Sequence, residues 1–294
     1  MSGTHADHKA LRQHRSHPRD WHRNAYVYPV ISRRSQGLSI GVNLNPDTLC
    51  NFDCIYCQVD RSGEPPAGDI DLTRLREELS NLIAAGMDGS LFLDPAFADV
   101  PDPLHAIKDI AFSGDGEPTS CSLFGECVDL VVELRRKTCP DTTKIVLITN
   151  ATYLTKPGVA AALAVMDANN GQIWAKLDAG TDAYYQMVCR TKFPLQHILA
   201  NITAAARVRP IVVQSLFMRI NGRGPDDREL GEYVERLREI TGAGGKIACV
   251  HVYTVARQPA ERFVTPLTAD EVDRIADLVR RGTDLQVERF YGSA

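Results

Sequence analysis

Residues 38–57 read LSIGVNLNPDTLCNFDCIYC, a strand-length apolar run over 38–42, then a polar turn, then Cys50, Cys54 and Cys57. Three thiols separated by three and then two residues fit one short loop wrapped around a metal centre. Structural zinc generally takes four protein ligands, often as two paired sets, and no second CxxC pair occurs in the chain. A [4Fe–4S] cube usually takes four cysteines, so a triplet leaves one iron open to a substrate or cofactor. The other five cysteines, Cys121, Cys127, Cys139, Cys189 and Cys249, are scattered, and Cys121, Cys127 and Cys139 read as small buried hydrophobes.

Outward from this stretch, apolar runs of strand length alternate with amphipathic segments of helical length. Strands are expected over 38–42, 109–113, 145–149, 173–178, 211–220 and 246–254, with helices over 71–86, 120–138, 155–168, 195–208, 226–241 and 268–282. In 226–241, Leu230, Val234, Leu237 and Ile240 recur at helical steps, so one face packs on a sheet. Six βα units are too few for a closed eight-stranded barrel. The fold class is therefore α/β, a partial (β/α)6 parallel TIM-like barrel.

Parallel crossovers place all strand C-termini at one rim, and the polar residues collect there. Asn43 and Asn45 follow the first strand. Gly114, Asp115, Gly116, Glu117 and Pro118 follow the second, where two glycines let the backbone approach a ligand closely. Asn150 follows the third strand and Asp178 ends the fourth; both are assigned as contacts to a bound cofactor. Lys176 shares a sheet face with Asp178 and is a candidate for holding an anionic substrate or, if neutral, for a Schiff base. Gln214 and His251 interrupt apolar strands, which requires a hydrogen bond or a cavity. Gln214 is assigned to the cofactor surface and His251, like Lys176, to catalysis.

Composition restricts the setting. At 294 residues, 44% hydrophobic and 24% charged, the chain is ordinary for a soluble protein. No apolar run is long enough for a membrane span, and the polar N-terminus lacks a secretory core, so a cytoplasmic location without membrane partners is expected. The net charge of −4 conceals an asymmetry. Residues 1–35 carry seven basic against two acidic side chains, a surplus of five that leaves the remainder at −9. Residues 1–35 thus read as a basic, histidine-rich arm and 36–294 as the barrel domain. A basic arm can contact phosphates, while an acidic body disfavours broad nucleic-acid binding.

CxxxCxxC with an aromatic residue, Tyr56, before the third cysteine resembles the radical S-adenosylmethionine superfamily. The resemblance implies that Cys50, Cys54 and Cys57 hold a [4Fe–4S] cluster whose fourth iron is chelated by S-adenosylmethionine, with Tyr56 near the adenine. The run 113–119, SGDGEPT, is similar to the superfamily's GGEP motif, which implies that Glu117 and neighbouring carbonyls accept from the methionyl ammonium. Reductive cleavage of S-adenosylmethionine to a 5′-deoxyadenosyl radical that abstracts substrate hydrogen is implied, with an electron donor such as flavodoxin or ferredoxin. The order CNFDCIYCQVDR, FSGDGEPT, ITNATYL, WAKLDAG, VYTVARQPAE resembles the branch containing the wyosine-forming tRNA enzymes. Those enzymes carry additional N-terminal cysteines, and none precedes Cys50 here. A tRNA base, a glycyl-radical enzyme to be activated, and a peptide or metabolite all remain open as substrates. A non-catalytic iron–sulfur sensor is the alternative from another class.

Overall fold

A computed structural model describes residues 11–15, 21–59, 61, 69–257, 259 and 261–292. Much of the expected histidine-rich arm, including His5, His8 and His17, lies outside them. After a single turn α1 (Arg12–Arg15), the chain builds β1 (Val27–Ser32), β2 (Gly37–Val42), α2 (Leu72–Asp88), β3 (Ile107–Phe112), α3 (Phe124–Thr138), β4 (Lys144–Thr149) and α4 (Pro157–Asp167). It continues through β5 (Gly171–Lys176), α5 (Asp182–Cys189), α6 (Leu195–Val208), β6 (Ile211–Leu216), β7 (Met218–Ile220), α7 (Asp227–Gly242), β8 (Ile247–Tyr253), β9 (Val264–Pro266), α8 (Ala269–Thr283) and β10 (Val287–Phe290).

Eight strands form one sheet in the order β1-β2-β3-β4-β5-β6-β8-β10. Only β1 runs antiparallel to its neighbour; every other pairing is parallel. Strand alternation gives the sheet two unlike faces. One packs on the helices through Ile110, Phe112, Ile145, Leu147, Ile173, Val213 and Val250. The other gathers a small apolar layer of Ala111, Val146, Trp174, Val212 and Cys249, with cavities on both sides of it. This is the expected partial barrel.

The helices form where the pattern placed them because each buries one stripe. Helix α7 turns Leu230, Tyr233, Val234, Leu237 and Ile240 inward, each fully buried apolar side chain contributing roughly 1.5–3 kcal/mol. Its N-cap Asp226 accepts from the Glu229 amide, and α8 starts with a capping box between Thr268 and Glu271. Helix α2 begins at the Asp71 cap and stops at Gly89, whose φ of 81° favours glycine.

Four elements differ from what the sequence leads one to expect. The expected arm over 1–35 contains β1, so its boundary cuts through the sheet; Pro29 is tolerated because β1 is an edge strand. The expected strand over 211–220 divides: β6 ends where the Asp178 carboxylate accepts from the Leu216 amide at 2.8 Å, and β7 then pairs with β9 instead. Short β10 and α5 carry too few residues for a clear period, yet β10 forms the seventh strand of the parallel set.

Candidate active site at the strand C-termini

The cysteine loop leaves β2 and is anchored on both sides. Amides of Asp53 and Ile55 donate to the carbonyls of Cys189 and Val188 at 3.2 and 2.9 Å. Across the loop, Gly116 approaches so closely that a Cβ there would lie 2.2 Å from the Leu49 carbonyl oxygen. At Gly114 a Cβ would lie 2.4 Å from Asn43 Oδ1. These glycines are required by close approach. Asn43 Nδ2 donates to Asp115 at 2.6 Å, and its Oδ1 accepts from the Asp115 amide.

Cys50 and Cys54 face a cavity of about 320 Å³ also lined by Tyr56, Gly114, Gly116, Glu117, Asn150, Lys176 and Asp178. Cys57 faces an adjoining cavity of about 310 Å³ that shares Tyr56, Gly114 and Lys176 and adds Arg33, Gln58 and Tyr253. Folding thus unites residues from the ends of β2, β3, β4 and β5.

Two carboxylates organise this surface. Glu117, 2% exposed, accepts from Thr149 Oγ1 at 2.6 Å, the Asn150 amide at 2.7 Å, and both the amide and hydroxyl of Thr119. Burial raises its carboxyl above the ordinary range despite those donors. Asn150 Nδ2 donates to Asn51 in the cysteine loop at 2.6 Å. Asp178 accepts from Tyr56 Oη at 2.6 Å and pairs with Lys176 Nζ at 3.0 Å. Lys176 also donates to Tyr253 Oη at 2.6 Å and lies 4.8 Å from the Tyr56 ring centroid. Burial opposes the Lys176 charge, but Asp178 and Tyr253 outweigh it and hold the amine above its usual range. A Schiff base needs a neutral amine. Paired with Asp178 and Tyr253, Lys176 is held here as a charged amine.

The thiols differ among themselves. Burial pushes Cys50 up to about 11. A hydrogen bond from Cys189 lowers Cys54, and Cys189 rises correspondingly. Arg61 Nη1 lies 3.2 Å from Cys57 Sγ, while its Nε donates to the Thr48 carbonyl. Neither Arg61 nor Cys189 is assigned to the site by the sequence alone. Arg61 closes the run CQVDR and offered a charge signal, whereas Cys189 offered none, because only folding brings it to the loop.

Other assignments fall elsewhere. Pro118 is buried in a short 3-10 turn, and Asp115 is turned to Asn43 beside the cavity. Gln214 is 1% exposed, lines neither cavity, and its Nε2 has no partner among the described residues. His251 faces a different cavity of about 930 Å³, with Trp174 lining both that one and the cavity of Cys50 and Cys54. Burial, with Arg34 and Lys144 adding to it, lowers the imidazole to about 3. Strand register sets it beside Gln214 and, through Gln214, level with Lys176, yet its side chain lines the cavity it shares with Cys249 and Glu288.

The donor set fits a cube better than a single ion. Zinc with three thiolates at about 2.3 Å brings the sulfurs to roughly 3.8 Å from one another in a tetrahedron. Among the described residues, one group of three possible ligands closes to within 4.8 Å, and it is not the triplet. Wider spacing suits thiolates that each bind a different iron. Tyr185 Oη, buried with no partner among the described residues, lines the triplet's cavity and is available to a ligand there.

No family model matches the chain. It is similar to TYW1 with a lysine-pyruvate adduct bound, at 15% identity and a TM-score of 0.51, over 84% of this chain and 74% of that one. Streptococcus suis SuiB bound to S-adenosylmethionine gives 12% identity and a TM-score of 0.54, over 88% of this chain and 49% of that one. The chain shares their fold. It spans about half the length of SuiB. Among curated proteins, GTPase Obg of Brachyspira hyodysenteriae (strain ATCC 49526 / WA1) is 26% identical over 163 residues, 54% of this chain. That match covers 20% of the relative's length. The phosphate-cradling run GxxxxGK[ST] is absent from the chain. Among the described residues, no helix is long and apolar enough to cross a membrane.

Proposed function

We propose that the chain is a radical S-adenosylmethionine enzyme. The observation that carries this reading is that Cys50 and Cys54 line a cavity edged by Gly114, Gly116, Glu117 and Tyr185 while Cys57 lines the one adjoining it, the three thiols lying at other than single-ion spacing. Their fold-mates include a protein bound to S-adenosylmethionine, which supports the same ligand here.

When bound, a [4Fe–4S] cluster on the three cysteines supplies the electron that splits S-adenosylmethionine into methionine and a 5′-deoxyadenosyl radical, which takes a substrate hydrogen. The protein's part is binding and confinement. Close backbone approach at Gly114 and Gly116 leaves room for an amino-acid headgroup. Glu117 fixes the end of β4 rather than turning free toward solvent. Tyr56, fastened to Asp178, presents a fixed ring face, and Tyr185 offers a hydroxyl. The adjoining cavity, bordered by Lys176, Arg33 and Arg34, supports a substrate with an anionic group. An external one-electron donor of flavodoxin or ferredoxin type completes the proposal.

Anaerobic reconstitution, reduction with dithionite and addition of S-adenosylmethionine should yield 5′-deoxyadenosine. Replacing all three cysteines by alanine should remove both the iron–sulfur absorbance and this product. A chromophore without 5′-deoxyadenosine would favour a sensor, and a chromophore that survives the triple replacement overturns the site.

A further inference from the structure

Away from the triplet, the 930 Å³ cavity holds a second donor set. Cys249 and His251 lie two residues apart on β8 and share its inner face, while Glu288 on β10 is in register with His251. One ligand atom from each lies within 4.8 Å of the other two. His251 Nε2 and Glu288 Oε2 are 3.5 Å apart. A tetrahedral zinc with nitrogen and oxygen ligands near 2.0 Å and sulfur near 2.3 Å separates its donors by about 3.3–3.6 Å. With Nε2 as the ligand atom one edge already has the required length, and donors within 4.8 Å of one another need a contraction of at most about 1.3 Å.

The histidine is built in rather than exposed. Its side chain is 6% exposed, and its Nδ1 has no partner among the described residues. Trp174 and Phe290 meet its ring edge-on, with centroids at 5.3 and 5.2 Å. Arg34 and Lys144 also face the imidazole and oppose a cation. A thiolate and a carboxylate together offset a divalent charge, so those two side chains do not face an uncompensated dication.

We propose that Cys249, His251 and Glu288 bind one zinc-like divalent ion, separate from the cluster triplet, that clamps the edge strand β10 onto β8. Sulfur, imidazole and carboxylate form a borderline donor set of the kind zinc takes, and the cavity leaves a fourth position for water. Binding releases the Cys249 thiol proton to solvent. The proposal does not depend on radical chemistry at the rim.

Its test uses the full chain with the triplet loaded anaerobically, incubated with zinc chloride and then freed of loose ion by gel filtration. Metal analysis should find one zinc per chain, and zinc-edge X-ray absorption should show one sulfur with nitrogen and oxygen neighbours. Cys249→Ser and His251→Gln should each lower zinc occupancy at least tenfold while leaving the iron content unchanged. No retained zinc, a shell of three sulfurs, or zinc that persists in both variants overturns the proposal. If either variant fails to fold by circular dichroism, the sulfur count in the unmodified chain decides alone.

Discussion

The two sides of the Trp174 layer treat polar side chains in opposite ways. Toward the strand C-termini, Glu117 and Asp178 accept bonds on both carboxylate oxygens, and what they hold in place are backbone ends, Tyr56 and Lys176. Toward the other mouth, His251 Nδ1 is unpartnered among the described residues and Glu288 is half exposed. Saturated carboxylates make a rigid frame for a large cofactor, whose contacts fall to sulfurs and backbone. Unsaturated donors at short mutual distance suit a single ion. Burial alone does not make a polar residue a ligand; what matters is whether its bonding capacity is already used.

The largest test of this contrast lies at Asp178. Asp178→Ala leaves the Lys176 ammonium buried without its partner and removes acceptors from Tyr56 and Leu216. Stability should fall by about 3–5 kcal/mol, measured by urea unfolding. Adding Lys176→Met should recover much of that loss. A single-variant cost below about 1 kcal/mol would break the picture of a saturated frame.

A smaller effect is expected at Asp109, 2% exposed and bonded to Ser39 Oγ at 2.5 Å. Burial raises its carboxyl, opposed by Ser35 and Ser39. A carboxyl raised on folding stabilises the fold below its unfolded pKa, near 3.8, and that benefit is lost as pH rises through the folded value. Asp109→Asn keeps an acceptor for Ser39 and removes the charge. It should stabilise the protein at pH 7 by on the order of 1 kcal/mol. The gain should vanish below about pH 4, as read from unfolding midpoints across pH; a loss at pH 7 would show that the charge is wanted.

The finest test is Arg61→Gln, which removes a charged donor from Cys57 at an exposed position. With the cluster loaded, the reduction potential should move negative by tens of millivolts, measured by anaerobic electrochemical titration. No movement would mean that Arg61 serves only to tie Thr48 to the loop.

Much of the barrel was legible because long elements repeat their period often enough to be seen. Helix α7 and strands β2 to β6 emerged from the spacing of their apolar residues. Elements with too few residues did not: β10 spans four residues, and β1 lay concealed in a basic stretch that includes a proline. At the rim, loops following parallel strands had to converge, so Tyr56, Glu117, Asn150 and Asp178 could be grouped without coordinates. Which cavity His251 lines was not legible, because alternation along β8 gives the face a side chain occupies and not the neighbours it turns toward.

The alternating α/β order and the cysteine spacing were legible in the chain alone, since both are properties of neighbours along it. It took folding to bring Asp178 to Lys176, Cys189 against Cys54, and Cys249, His251 and Glu288 together. Those contacts join residues distant in the chain, and their geometry follows from strand register and packing, which local periodicity does not encode.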